Sequence, residues 1–96
     1  MPAKRPAAVA TLQIDNDRVI VTEWRFAAGA ETGWHRHAYD YIVIPGMDGK
    51  LLLETNDGEH LAELRAGQSY YRNAGVEHNV VNANAFEFSF VEVELR

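Results

Sequence analysis

Two histidines one residue apart, His35 and His37, are answered much later in the chain by a third, His78. In a β-strand, residues i and i+2 point to the same side, so His35 and His37 can present two imidazoles to one point from a single element. A third imidazole from a neighbouring strand would complete three ligands of a divalent metal site. A single histidine on a strand is usually a surface or satisfied core residue. Three of them framed by Gly29, Gly33, Gly67 and Gly75 point instead to metal ligation.

The elements that must position these side chains read as strands. After residue 10 the hydrophobic period is two nearly everywhere, and no stretch holds an amphipathic helical stripe. Segment 18–26 alternates, with Ile20, Thr22, Trp24 and Phe26 on one side and Val21, Glu23 and Arg25 on the other. A strand over 34–44 ends at Pro45-Gly46. Asp48-Gly49 and Asn56-Asp57-Gly58 are strong turn signals that bracket a strand at 50–55. Further strands are expected at 59–64, 68–72, 77–82 and 85–95. In the last of these the apolar residues change parity between Phe90 and Val91, which predicts a bulge or a bend between two sheets. Many short strands with frequent turns argue for a closed β-sandwich or barrel rather than an open meander, which would leave one apolar face in water.

Length and composition bound the rest. Ninety-six residues make one domain, expected over 11–96 behind a flexible arm at 1–10. Such a chain buries only about two-thirds of its unfolded surface, and pairing into a homodimer would help it. The net charge is −5, scattered rather than in blocks, with no basic stripe to bind nucleic acid. The absence of cysteine removes disulfides, thiolate ligands and thiol nucleophiles, and fits a reducing cytoplasm. No run is long and apolar enough for a membrane span, and the opening segment is unlike a signal peptide.

The histidine frame resembles the two motifs of the cupins. Gly29, five residues, then His35-Arg36-His37 matches the start of the first motif, with Gly46 near its end. Tyr41 stands where that family usually has a glutamate. Gly67, five residues, Asn73-Ala74-Gly75, two residues, His78, three residues, Asn82 matches the second motif except that Asn73 replaces proline. The resemblance implies an all-β fold, a double-stranded β-helix or jelly-roll-like barrel. It implies His35, His37 and His78 as ligands of a divalent transition metal, Fe, Ni, Zn or Mn, in the barrel mouth. It carries no carboxylate ligand, because position 41 is a tyrosine. The run DNDRVIVTEWRF…ETGWHRHAYDYIVIP is also similar to small single-domain cupins associated with β-alanine breakdown, which hints at amino-acid catabolism.

A phenol with a pKa near ~10 is a poor ligand at neutral pH, so Tyr41 is expected beside the metal rather than on it. Asp40 could replace the glutamate only if a bulge turned it inward. By strand parity Tyr39 shares the histidine face and is a pocket candidate, as is Arg72. Tyr70 and Tyr71 must face opposite ways, and Arg36 should point away from the histidines. His60 reads as exposed and Asn82 as a structural hydrogen-bonder. Three neutral imidazoles would leave the ion its full charge and open positions, favouring a small anionic ligand. By resemblance this suits a non-haem iron-type oxygenase or an isomerase acting on an organic acid. The alternatives are a ligand-binding or sensor protein, and a metal-free barrel kept for assembly.

Overall fold

β-branched and aromatic residues in alternation, punctuated by glycine turns, form strands and nothing else. The computed structural model describes residues 4–96 and contains nine of them among those residues. They are β1 (Val9–Asp15), β2 (Val19–Phe26), β3 (His35–Arg36), β4 (Asp40–Pro45), β5 (Gly49–Thr55), β6 (Gly58–Leu64), β7 (Tyr70–Arg72), β8 (Glu77–Asn82) and β9 (Phe88–Leu95). A five-stranded sheet has the order β1-β2-β9-β4-β7, and a four-stranded sheet the order β3-β8-β5-β6. The strand pairs within both are antiparallel. This is the expected two-sheet, double-stranded β-helix. Among the described residues, no helix is long and apolar enough to cross a membrane.

The core lies between the sheets. Phe26, Phe88, Leu51, Val43 and Val80 are buried there, and the Phe26 and Phe90 ring centroids lie 5.5 Å apart. Asn82, 2% exposed, ties the end of β8 to the loops around it. Its amide donates to the carbonyls of Phe26, Ala27 and Phe86 at 3.3, 3.2 and 2.8 Å, and its side-chain oxygen accepts from Asn84 N at 2.9 Å.

The structure departs from the sequence reading in four places. The expected strand over 34–44 is two strands, because the chain bends at Ala38-Tyr39 and passes from the four-stranded sheet to the five-stranded one. The parity change at Phe90-Val91 is neither a bulge nor a bend between sheets. β9 runs in unbroken register with both β2 and β4, its even residues Phe88, Phe90 and Glu92 face inward, and Val91 and Val93 lie half-buried on the outer face. Apolar residues occupy both faces of this strand, so apolarity alone misled the assignment of its inner side. β1 lies in a stretch where no strand was expected, although Leu12 and Ile14 do alternate with Thr11, Gln13 and Asp15; a register shift falls at Gln13.

The fourth departure is the arm expected at 1–10, of which residues 1–3 lie outside the described residues. Pro6, Ala7 and Ala8 lie against Glu31: Ala8 N donates to Glu31 O at 2.8 Å, and Glu31 N donates to Pro6 O at 2.9 Å. Arg5 pairs with Glu31 at 3.2 Å and with Glu54 at 2.9 Å. Backbone pairing and ion pairs thus hold a segment whose composition alone reads as loose.

Candidate metal centre

His35 on β3 lies directly opposite His78 on β8 in the antiparallel ladder. Residues facing each other this way have closely spaced Cβ atoms, so the two rings start out side by side. His37 follows β3 immediately. Its backbone N donates to Val76 O at 2.9 Å, and Gly75 N donates to His37 O at 2.8 Å. Gly75 holds φ at 95°, a conformation that a side chain disfavours, which accounts for the glycine of the second motif.

The three rings converge through their Nε2 atoms. His35 Nε2 lies 3.0 Å from His37 Nε2, which lies 3.2 Å from His78 Nε2. The ring planes stand at 71–86° to one another, so edges rather than faces meet. His35 Nδ1 is 2.9 Å from the Gly33 carbonyl, which can only accept. Nδ1 therefore carries the proton, and the Nε2 lone pair points into the cluster. A shared cation would satisfy three ring nitrogens placed this closely.

A polar layer behind the cluster fixes the His35 tautomer. Asn79 Oδ1 accepts from Gly33 N at 2.9 Å, while Asn79 Nδ2 donates to both Glu31 and Glu54 at 2.8 Å. Thr32 Oγ1 lies 3.3 Å from His35 Nδ1. Partners of this kind behind a histidine orient it for metal binding.

His37 and His78 are 5% and 8% exposed. Burial, and then the neighbouring His35, pushes the His37 imidazolium pKa down to about 4. Burial acts the same way on His78, helped by His35, His37 and Arg72, again to about 4. Both imidazoles are therefore neutral at pH 7, the form that binds a metal. The donor set fits a divalent transition metal, with His35, His37 and His78 as the side chains that would hold it.

The other sequence candidates separate cleanly. Tyr41 faces inward, 2% exposed, and its ring stacks on His37 with centroids 3.8 Å apart and planes at 17°. Burial, chiefly, raises its pKa above the usual phenol value, so it remains a neutral phenol packed beside the cluster. Arg72 reaches the cavity by the histidines, with its guanidinium 4.9 Å from the Tyr70 ring centroid.

Asp40 and Tyr39 do not join the site. Tyr71 Oη donates to Asp40 at 2.5 Å and Ala74 N donates to it at 2.7 Å. These bonds hold its pKa below the usual carboxylate value and its side chain on the outer face, so no bulge turns it inward. Tyr39 falls in the bend between the sheets, where strand parity no longer applies, and its ring lies against Arg96 instead.

Sequence reasoning missed Glu92. It is 8% exposed, and one carboxylate oxygen lies 4.0 Å from His37 Nε2. Burial, then Glu94, pushes its pKa up to about 7, against the pull of Trp24. With His37 neutral, the contact is not an ion pair. Carrying the even-residue parity of Phe86, Phe88 and Phe90 on through the strand would have turned Glu92 inward; the expected bulge or bend hid it. Glu92, His78, Tyr41, Tyr70 and Arg72 line a cavity with about 30 Å³ of free room, enough for a water or a ligand's reactive end.

A profile for the cupin domain matches residues 22–94. The chain is 64% identical over 92 residues to the beta-alanine degradation protein BauB of Pseudomonas aeruginosa, covering 96% of this chain and 97% of that protein. It is 57% identical to a crystal structure of a cupin domain from Bordetella pertussis, covering 99% of each chain with a TM-score of 0.97. An RmlC-like cupin with a double-stranded β-helix fold from Methanocaldococcus jannaschii shares the fold at 16% identity and a TM-score of 0.77, covering 99% of this chain and 85% of that one.

Proposed function

The chain belongs to the cupin family, and from that premise we propose that it binds one divalent transition metal through His35, His37 and His78 and acts on a small organic acid. The observation that carries this reading is the approach of three buried or half-buried Nε2 atoms to within 3.0 and 3.2 Å in sequence. Similarity to a beta-alanine degradation protein supports a metabolite derived from an amino acid as the class of ligand.

The protein's own groups divide the work. The Gly33 carbonyl and Asn79 hold the His35 tautomer, and burial keeps His37 and His78 unprotonated. The Tyr41 ring fixes the plane of His37 by stacking. Arg72, at the cavity, attracts the carboxylate of an entering acid, and the walls of Phe90, Val80 and Leu53 exclude bulk water. A bound metal would supply Lewis-acid polarisation of a carbonyl or carboxylate, or oxygen chemistry if it is iron. Oxygenation and isomerisation of a small acid are the reaction classes this supports. A cytoplasmic location and a homodimer belong to the same proposal. Support for the dimer comes from β1, all seven of whose residues are exposed, Val9, Leu12 and Ile14 among them.

Metal analysis of protein purified without added metal tests the reading. About one equivalent of transition metal per chain is expected, lost in His78→Ala. Less than roughly a tenth of an equivalent after reconstitution with Fe²⁺, Ni²⁺, Zn²⁺ and Mn²⁺ in turn would refute it. Sedimentation at micromolar concentration checks the dimer.

A further inference from the structure

The first motif of the chain lacks its acidic residue, yet the barrel interior holds one. β4 and β9 run antiparallel with Tyr41 opposite Glu94 and Val43 opposite Glu92. The inner face beside position 41 therefore carries two carboxylates one strand over. They form, with His37, a second group whose ligand atoms all lie within 4.8 Å of one another, overlapping the three-histidine group at His37. Glu92 is the deeper of the two and comes within 4.0 Å of His37 Nε2.

We propose that Glu92 is the acidic member of the metal site, reaching it from β9 in place of the glutamate that position 41 lacks. The inference rests on the three-histidine reading and adds a residue to it. A carboxylate at this depth is costly unless a cation stands beside it. Among the described residues, the arginine ion pairs engage Glu31, Glu54, Glu23, Glu87, Glu77, Asp48 and Asp15, never Glu92. No arginine therefore brings a positive charge to this carboxylate. A divalent ion held by the three imidazoles supplies it, at the edge of His37 that the carboxylate approaches.

The addition changes what the site prefers. Three neutral imidazoles leave a divalent ion at +2, and one carboxylate reduces the assembly to +1. Carboxylate oxygen suits Mn²⁺ more than it suits Zn²⁺, for which imidazole already serves well. Glu92 thus widens the site toward harder metals.

Competition titrations of the full chain with a chelating dye, using Mn²⁺ and Zn²⁺ separately, test this. Glu92→Gln keeps the shape and removes the charge. It is expected to weaken Mn²⁺ by about 10–100-fold, the range typical of groups supporting a metal site, and Zn²⁺ by clearly less. Glu94→Gln should stay within about threefold for both metals, since that residue is less buried. Glu92→Asp, which keeps the charge on a shorter arm, provides the measurement if glutamine is not tolerated, with a smaller loss in the same order of metals. Mn²⁺ affinity within about twofold of wild type in Glu92→Gln overturns the proposal, as does an equal loss for both metals. His37→Ala is run alongside: if it keeps both metals, the three-histidine reading falls, and this inference with it.

Discussion

Replacing Glu92 by glutamine should make the metal-free protein more stable, against the usual direction of substitution at a buried position. The carboxyl group is 8% exposed, and its pKa rises from an ordinary 4.5 to about 7 on folding. A group whose folded pKa is raised contributes its full stability below the unfolded value, near pH 4.5, and loses it as pH rises through about 7. Above that, a shift of this size corresponds to about 3 kcal/mol of destabilisation. Glutamine has no such titration, though its buried amide must find partners and returns about 1 kcal/mol of the gain. The net expectation is about 2 kcal/mol at pH 8, or roughly 10 °C in Tm for a domain of this length. Below pH 4.5 the advantage disappears. Urea unfolding of chelator-treated wild type and variant at pH 8, 6.5 and 4.5 measures it. A variant less stable at pH 8, or a gap that stays constant across the three pH values, would refute the reasoning.

His37 and His78 set a second pH dependence, of opposite sign. Their folded pKa values of about 4 lie below the ordinary 6.5, so the stability they contribute is present above pH 6.5 and lost as pH falls through 4. In the metal-free Glu92→Gln protein, where the Glu92 titration no longer opposes that trend, these two histidines should lower the unfolding free energy by on the order of 5 kcal/mol between pH 7 and 4. Urea midpoints across that range would show it. Asn82→Ala strips three carbonyls of their donor and should cost about 2–3 kcal/mol, read as a drop in urea midpoint. Gly49→Ala would place a methyl carbon 2.7 Å from the Phe88 ring, so a loss of about 1–3 kcal/mol is expected by the same measurement.

The sequence carried the site further than it carried the strands around it. His35, His37 and His78 were legible because glycine spacing, rather than strand parity, identified them. The positive φ at Gly29, Gly33, Gly67 and Gly75 shows what those glycines do. Tyr41 came out on the inner side although the parity used to place it fails, since a bend separates it from His37. The same bend removed Tyr39, and nothing local in Ala38-Tyr39-Asp40 marks where a strand changes sheets. That depends on which partner each half finds, β8 for His35 and β9 for Tyr41. Glu92 was missed because a charged residue on an inner face breaks the rule by which inner faces are recognised. β1 was missed because all its residues are exposed, leaving only a weak alternation to read.

A chain of polar contacts runs from Arg5 through Glu31 and Glu54 to Asn79, then to Gly33 and the His35 ring. Exposed ion pairs of this kind contribute little to stability, so their value here is alignment. A protein trimmed to begin at Val9 would keep every imidazole and yet hold one of them more slackly. If the imidazoles hold an ion as proposed, Arg5 is a remote tuning screw for its coordination, and a fusion partner or affinity tag that displaced those ion pairs would disturb binding at a distance while leaving the melting curve almost untouched.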